Sequence, residues 1–279
     1  MPYSLYYPHD ESIPPGPEHS LNTHSWGQML LPYLDRSELY SQIDMTCPSL
    51  SAETRDIWNS VVQGFGGAGY SPTQLDNIVG NEAAISTTLP VFNCPTTPDG
   101  PRLDKHFYPE DDLILGLPNG TTNVTYASTD YATLNGVLSR FTNTYYTGPV
   151  QANREGIMRQ PNIVVRRREV LDGLSNTWMM SERGGANDVW RAGTKVWDAG
   201  SGVFIEAVGA DYNVQSGGGW GDFVNGEFWL AGSLEDGTGV KGPCLINCTN
   251  LDTRGIYSFH SGGINVLLGD GGVKWVREG

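Results

Sequence analysis

Two stretches of this 279-residue chain concentrate side chains that can do chemistry. The first is G-G-G-W-G-D-F-V-N-G-E-F-W, residues 217–229. Trp220, Phe223 and Trp229 offer aromatic faces on a glycine-supported loop, where the CH groups of a sugar can stack while carboxylates and amides take its hydroxyls. Asp222 and Glu227 are also candidates for the two carboxylates of a glycosidase, one acting as acid and one as base or nucleophile. The competing reading is a glycine-rich loop whose aromatic rings fold back into the core. The second stretch is Y-S-F-H-S-G-G-I-N-V-L-L-G-D-G-G-V-K-W-V, residues 257–276, in which His260 and Asp270-Gly271 are separated by nine residues.

The second stretch reads as a β-meander. Gly262 turns the chain, Ile264 to Leu268 is a β-rich apolar run, and Asp270-Gly271 signals a tight hairpin before Val273 to Val276 returns. Ile264, Val266 and Leu268 are expected on the buried face, with Val273 and Trp275 extending it. A strand rises about 3.3 Å per residue, so His260 and Asp270 lie about 15 Å apart and share no catalytic site. A strand preceding Gly262 would instead place Asp270 near Asp252 and Arg254. Asp252 and Asp270, with Asp211, are therefore the candidate ligands for Ca2+, which takes several oxygens from flexible loops. Solvated turn acids are the plainer alternative.

Nothing else in the chain spells out a catalytic word. G-x-S-x-G, H-E-x-x-H, a P-loop and a dinucleotide fingerprint after a clear strand are all absent from the sequence. His24-Ser25 reads as a helix start, and Arg166, Arg167 and Arg168 as a solvated strand face. An organic cofactor is not expected, and enzyme activity is left open, with glycoside hydrolysis the form it would take.

Composition narrows the partners. The formal charge is −14 and the pI about 4.6, a surface that repels a phosphate backbone, so nucleic acid is excluded. The 36 glycines and 17 prolines make up nearly a fifth of the chain, and with 8 Trp and 13 Tyr they point to a loop-rich, strand-rich protein. Cys47, Cys94, Cys244 and Cys248 form no C-x2-C pair, which argues against structural zinc of the finger type. Two local disulfides, 47–94 and 244–248, in an oxidising compartment are expected, against an alternative of four buried thiols. No apolar run is long enough to span a bilayer.

The elements that must position these residues divide at about position 88. Residues 1–22 are an extended Pro-rich lead, Pro8 to Pro17 at its centre. From 23 to 88 the pattern is helical. Trp26, Met29, Leu30 and Tyr33 recur at helical spacing, and Pro32 interrupts before Leu34 to Tyr40. Ser51 can cap a helix carrying Ile57, Trp58, Val61 and Val62, and another short helix is expected over Pro72 to Asn81. From 89 to 279 short β-rich pieces alternate with turns: Thr122–Thr129, Ile163–Arg168, Thr177–Ser181, Val203–Val208, Glu227–Leu230 and the terminal meander. The expected fold is α+β, a single head over residues 23–279, with short N-terminal helices packed on an antiparallel sheet and long Gly/Pro-rich loops.

Five segments carry a family resemblance in order. H-S-W-G-Q-M-L-L-P-Y-L-D (24–35) with Leu39-Tyr40, V-F-N-C-P (91–95), T-D-Y-A-T-L-N-G (129–136), D-G-L-S-N-T (172–177) with Glu182, and the terminal H-x9-D-G word resemble the planctomycete-type, pilin-like family of unknown function 1559, also labelled a bacterial solute-binding family. The resemblance implies a pilin-like fold and a prepilin-type apolar helix ahead of the head. This chain opens at the Pro-rich lead instead, so a membrane link is expected only through that missing helix. It implies no catalytic residues. Calcium in a C-terminal loop of type II secretion pseudopilins adds weight to Asp252 and Asp270. The expected function is an extracellular or periplasmic, cell-surface head that contacts other pilin-like subunits. The alternatives are a secreted carbohydrate-active protein using the Trp220–Trp229 loop on extracellular glycans, and periplasmic solute capture.

Overall fold

Local sequence signals set the helical front. The computed structural model describes residues 5–6, 24–64, 69–108, 116–118, 120–145, 154–158, 165–208 and 211–278. The Pro-rich stretch Pro8 to Pro17 lies outside them. Strand β1 (Leu5–Tyr6) pairs antiparallel with β2 (His24–Ser25). Ser25 then caps α1 (Trp26–Leu30), and its backbone N–H donates to the Gln28 side chain, completing a capping box. Pro32 converts the next turn to a 3-10 helix, Leu31–Leu34, which stops at Asp35 in the left-handed region. Helix α2 (Ser37–Tyr40) follows. Ser51 Oγ accepts from Thr54 N–H at the start of α3 (Ala52–Gly64), as its residue type predicts.

Helix α4 (Pro72–Ile85) begins with a Ser71–Gln74 capping box and Pro72 in its first turn. It runs beyond the expected end at Asn81 because Ala84 and Ile85 are buried and continue its apolar face. Asn81 itself is buried mid-helix, where its amide holds the 44–48 loop: Oδ1 accepts from Asp44 N–H, and Nδ2 donates to the Cys47 and Pro48 carbonyls.

The β part is a set of small sheets. Strands β3 (Leu103–Phe107) and β4 (Asn123–Ala127) form an antiparallel pair beneath α4. Next come β5 (Tyr131–Thr133), β6 (Gly136–Val137), a short helix Ser139–Tyr145, β7 (Arg154–Glu155) and β8 (Trp178–Glu182). Then follow β9 (Val189–Arg191), β10 (Thr194–Trp197), β11 (Ile205–Val208), β12 (Asp211–Val214) and β13 (Trp229–Leu230). Finally β14 (Gly263–Leu268) and β15 (Val273–Arg277) close the chain. The largest sheet has the order β15-β14-β8-β5 and is antiparallel throughout. The fold class is mixed α+β.

Three sequence expectations change here. First, the terminal hairpin closes through three residues, not two. Gly271 N–H donates to Leu268 O, Leu268 N–H to Gly272 O, and Gly271 has φ +88°. That single extra residue shifts the register to Leu267↔Val273 and Asn265↔Trp275. Val273 and Trp275 therefore sit on the opposite face from buried Ile264, Val266 and Leu268, and are 69% and 43% exposed. Second, β8, not the segment before Gly262, pairs with the other edge of β14. Third, the expected strand over Ile163–Arg168 is not formed by its described part. Arg167–Glu169 is a 3-10 turn closed by Glu169 on the Arg166 N–H, and the three arginines are exposed without alternation.

Two apolar clusters underlie these layers. The larger joins the helices to β4 and Trp220, with Trp26, Leu31, Trp58, Ile78, Ile85 and Phe92 among its members. The smaller lies under the main sheet and holds Ala132, Phe228, Leu230, Ile264 and Val266.

Candidate functional site

The residues that converge come from three distant segments. A 3-10 turn, Pro90–Phe92, buries Phe92 between Trp26 and Trp220 and so fixes the chain just before Cys94. Cys94 N–H donates to Asp130 Oδ2 (2.7 Å), while Gly185 N–H donates to Asp130 Oδ1 (2.9 Å). One buried carboxylate thus ties the Cys94 turn to the backbone that follows Glu182. Burial raises the Asp130 carboxyl pKa, against the hydrogen bonds from Gly185 and Cys94 that lower it. Glu182 ends β8, and its Oε2 accepts from Asn265 N–H in β14 (2.7 Å). His260 lies just before β14, its backbone N–H held by Ser258 Oγ (2.9 Å) and its ring edge-on to Trp275.

The three functional atoms meet at one point. His260 Nε2 is 3.1 Å from Glu182 Oε1 and 3.4 Å from Cys94 Sγ, and Cys94 Sγ is 3.7 Å from Glu182 Oε1. Cys94 and Glu182 are buried, and the His260 side chain is 28% exposed. Thr96 Oγ1 lies 3.1 Å from the sulfur. This is not the geometry of a thiol-protease triad, where nucleophile and orienting acid address opposite ring nitrogens. Here both face Nε2. His260 also lines a cleft of about 910 Å³ with Tyr257, Phe259, Cys244, Cys248 and Glu278.

The glycine-rich loop behaves differently. Trp220 is fully buried, stacked on Phe92, with its indole N–H donating to Thr87 O. Gly27 and Gly219 let the backbones close around it: a Cβ at Gly27 would lie 2.1 Å from Trp220 O, and one at Gly219 2.2 Å from the Tyr126 ring. Asp222 is buried as well. It caps the 223–226 turn through the Val224 N–H and takes a 2.6 Å contact from His106 Nδ1. Phe223 stacks on Tyr108, and Trp229 and Glu227 are half-buried. Trp220 therefore presents no face to a sugar, and Asp222 no oxygen to a substrate.

Calcium ligation by Asp252 and Asp270 meets a similar correction. Asp252 accepts from Ser216 Oγ (2.8 Å); burial raises its carboxyl pKa, while the nearby Arg183 guanidinium opposes the rise. Asp270 is exposed in the terminal turn, where Oδ1 accepts from Gly272 N–H. The strand that would have brought them together pairs elsewhere, through bridges of Ile256 to Ile246 and Tyr257 to Arg183. Asp211 belongs to β12, and its side chain lies outside the described atoms. His260 and Asp270 do stand at opposite ends of β14.

Of the two expected disulfides, Cys244–Cys248 is formed, with Cα atoms 6.2 Å apart. Cys47 and Cys94 are separate buried thiols. The Cys47 thiol packs against Asn81 under the helical layer, and burial pushes its pKa up to about 12. Cys94 faces Glu182 and His260 instead. No single stretch announces the Cys94–Glu182–His260 cluster, since its members are 88 and 78 residues apart. The signal available was that each falls in one of the five segments carrying the family resemblance.

A model of the family described as "protein of unknown function (DUF1559)" matches residues 6–278. Neither the curated proteins nor the solved structures contain a match to the chain. The matched span covers nearly the whole sequence, and the chain belongs to the DUF1559 family.

Proposed function

We propose that this chain is the extracellular or periplasmic head of a pilin-like, pseudopilin-type protein that works by binding other pilin-like subunits. One observation carries the reading. An apolar groove of about 280 Å³ runs between the helical front and the main sheet, lined by Trp26, Leu30, Leu34, Val91, Met180 and Val273. It continues onto β15, the terminal strand of that sheet, whose outer face exposes Val273 and Trp275. An exposed apolar strip beside a strand edge that no described residue pairs suits an apolar segment or strand of a partner. The groove lining is almost wholly apolar, whereas a glycan would need hydroxyl partners.

A photo-crosslinking residue at Val91, an exposed residue of the groove wall, tests this in cells making the protein. Adducts with a pilin-like subunit are expected, lost in Val273→Ser/Trp275→Ser. Trp275 is only 43% exposed and packs edge-on to His260, so urea unfolding of that double variant separates lost docking from lost folding. Adducts with glycan alone, or none at all, would overturn the reading.

A further inference from the structure

We propose that Cys94, Glu182 and His260 form a binding site for a zinc-class divalent transition metal. The argument is metric. With Zn–S about 2.3 Å, Zn–N about 2.05 Å and Zn–O about 2.1 Å, a tetrahedral zinc spaces its donors about 3.6 Å (S to N), about 3.6 Å (S to O) and about 3.4 Å (N to O). The three atoms here are 3.4, 3.7 and 3.1 Å apart in the same order, each within about 0.3 Å of that spacing. Among the described residues, no other group of three or more metal-ligating side chains converges this way.

The surroundings are those of a held ligand set. Glu182 Oε2 is fixed by the Asn265 N–H, and Oε1, 3.5 Å from Asn265 Nδ2, faces the shared point. Asp130 fixes the Cys94 backbone, and Ser258 fixes that of His260. The Asn265 bond orients the carboxylate directly, and the two backbone bonds fix the points from which the Cys94 and His260 side chains extend. The donor set itself selects the ion. A thiolate, an imidazole and one carboxylate suit Zn2+ or Co2+, and not Ca2+, which takes six to eight oxygens. Binding deprotonates the thiol and releases that proton to solvent. Three protein ligands leave a fourth position for water or for a donor entering from the cleft that His260 lines. The ion would join the turn after the 90–92 helix, the end of β8 and the entry to the terminal hairpin.

The test uses the purified chain, stripped with chelator and titrated with Co2+. One equivalent should bind with a thiolate-to-metal charge-transfer absorption, and Zn2+ should displace it while an equal concentration of Ca2+ does not. Cys94→Ser should abolish the absorption, and Cys47→Ser should leave it unchanged. His260→Ala, at a partly exposed position, should weaken Co2+ affinity by more than about 100-fold, because it removes a ligand itself. Circular dichroism of each variant in chelator separates lost binding from lost folding. Failure of the parent chain to bind Co2+ stoichiometrically, an absorption retained in Cys94→Ser, or unchanged affinity in folded His260→Ala would each overturn the proposal.

Discussion

The glycine-rich loop and the Cys94 cluster contain similar chemistry and use it in opposite ways. In the loop, acids and aromatics adjacent in sequence are dispersed into the interior, each satisfied by a separate partner: Trp220 by Phe92 and Thr87, Asp222 by His106 and Val224, Phe223 by Tyr108. At the cluster, residues far apart in sequence are brought within 4.8 Å, with one of them reaching the surface. Adjacent functional groups on one loop face different ways and must each be buried or solvated. Groups from separate segments can face one another. Density of chemistry along a chain is therefore a poor guide to density of chemistry in space.

The strongest way to break that comparison is Trp220→Ala. If the loop is core, the substitution removes a fully buried ring and the indole–Thr87 hydrogen bond, and it should cost about 3–5 kcal/mol in urea unfolding. By contrast, His260→Ala in chelator should cost only about 1–3 kcal/mol, since that ring is partly exposed and its loss leaves Glu182 Oε1 without its 3.1 Å partner. Near-equal losses would mean that the loop is not the sealed region and the cluster not the open one.

Acid sensitivity probes the sealed side from a second direction. His24 is buried beside the loop; burial lowers its pKa to about 4, against interactions with the Met45 backbone, the Gln28 side chain and the Asp44 charge that raise it. Ser25, next to it, donates through its hydroxyl to Trp220 O. The unfolded chain takes up the histidine proton near pH 6.5 and the folded chain does so only near pH 4. The unfolded state thus binds more protons across that window, and stability is full above pH 6.5 and lost as the pH falls towards 4. The loss should total about 3 kcal/mol, read as the pH dependence of wild type minus that of His24→Gln. Asp104, Asp130 and Asp252, all raised by burial, act in the opposite sense. They are present in both proteins and cancel in the difference. A difference flat between pH 4 and 6.5 would place His24 in contact with water.

Much of the frame was legible because it rests on local signals. Ser25 and Ser51 announce helix starts, Pro32 a break, and the alternation Ile264-Val266-Leu268 a strand with one buried face. What failed was non-local or hinged on one residue. A hairpin loop of two or three residues is indistinguishable in G-D-G-G, yet the choice decides which way Val273 and Trp275 point. Proximity in sequence points to the segment before Gly262 as the partner of β14, whereas β8 takes that edge and supplies the Glu182–Asn265 bond. The same proximity suggests the Asp252–Asp270 pair and gives no sign of Glu182 beside His260. Cys47 and Cys94 likewise flank one segment, which suggests a bridge, but the helices put one thiol beneath α4 and leave the other at the sheet.

The smallest expected effect lies on the open side and joins its parts. Cys244–Cys248 closes a loop of about five residues, for which loop entropy gives about 2 kcal/mol. Within that loop Asn247, in the left-handed region, accepts the Ser258 N–H at Oδ1, and Ser258 Oγ in turn holds the His260 N–H. Removing the bridge in Cys244→Ser/Cys248→Ser should therefore lower stability by about 2 kcal/mol and also loosen His260. The second effect should be mild, about tenfold in Co2+ affinity at most, because the hairpin strands fix the ring's position independently. Urea unfolding and Co2+ titration on the same double variant read both. A loss larger than that of Trp220→Ala would reverse the comparison, making the cleft wall, and not the buried loop, the region on which the fold depends.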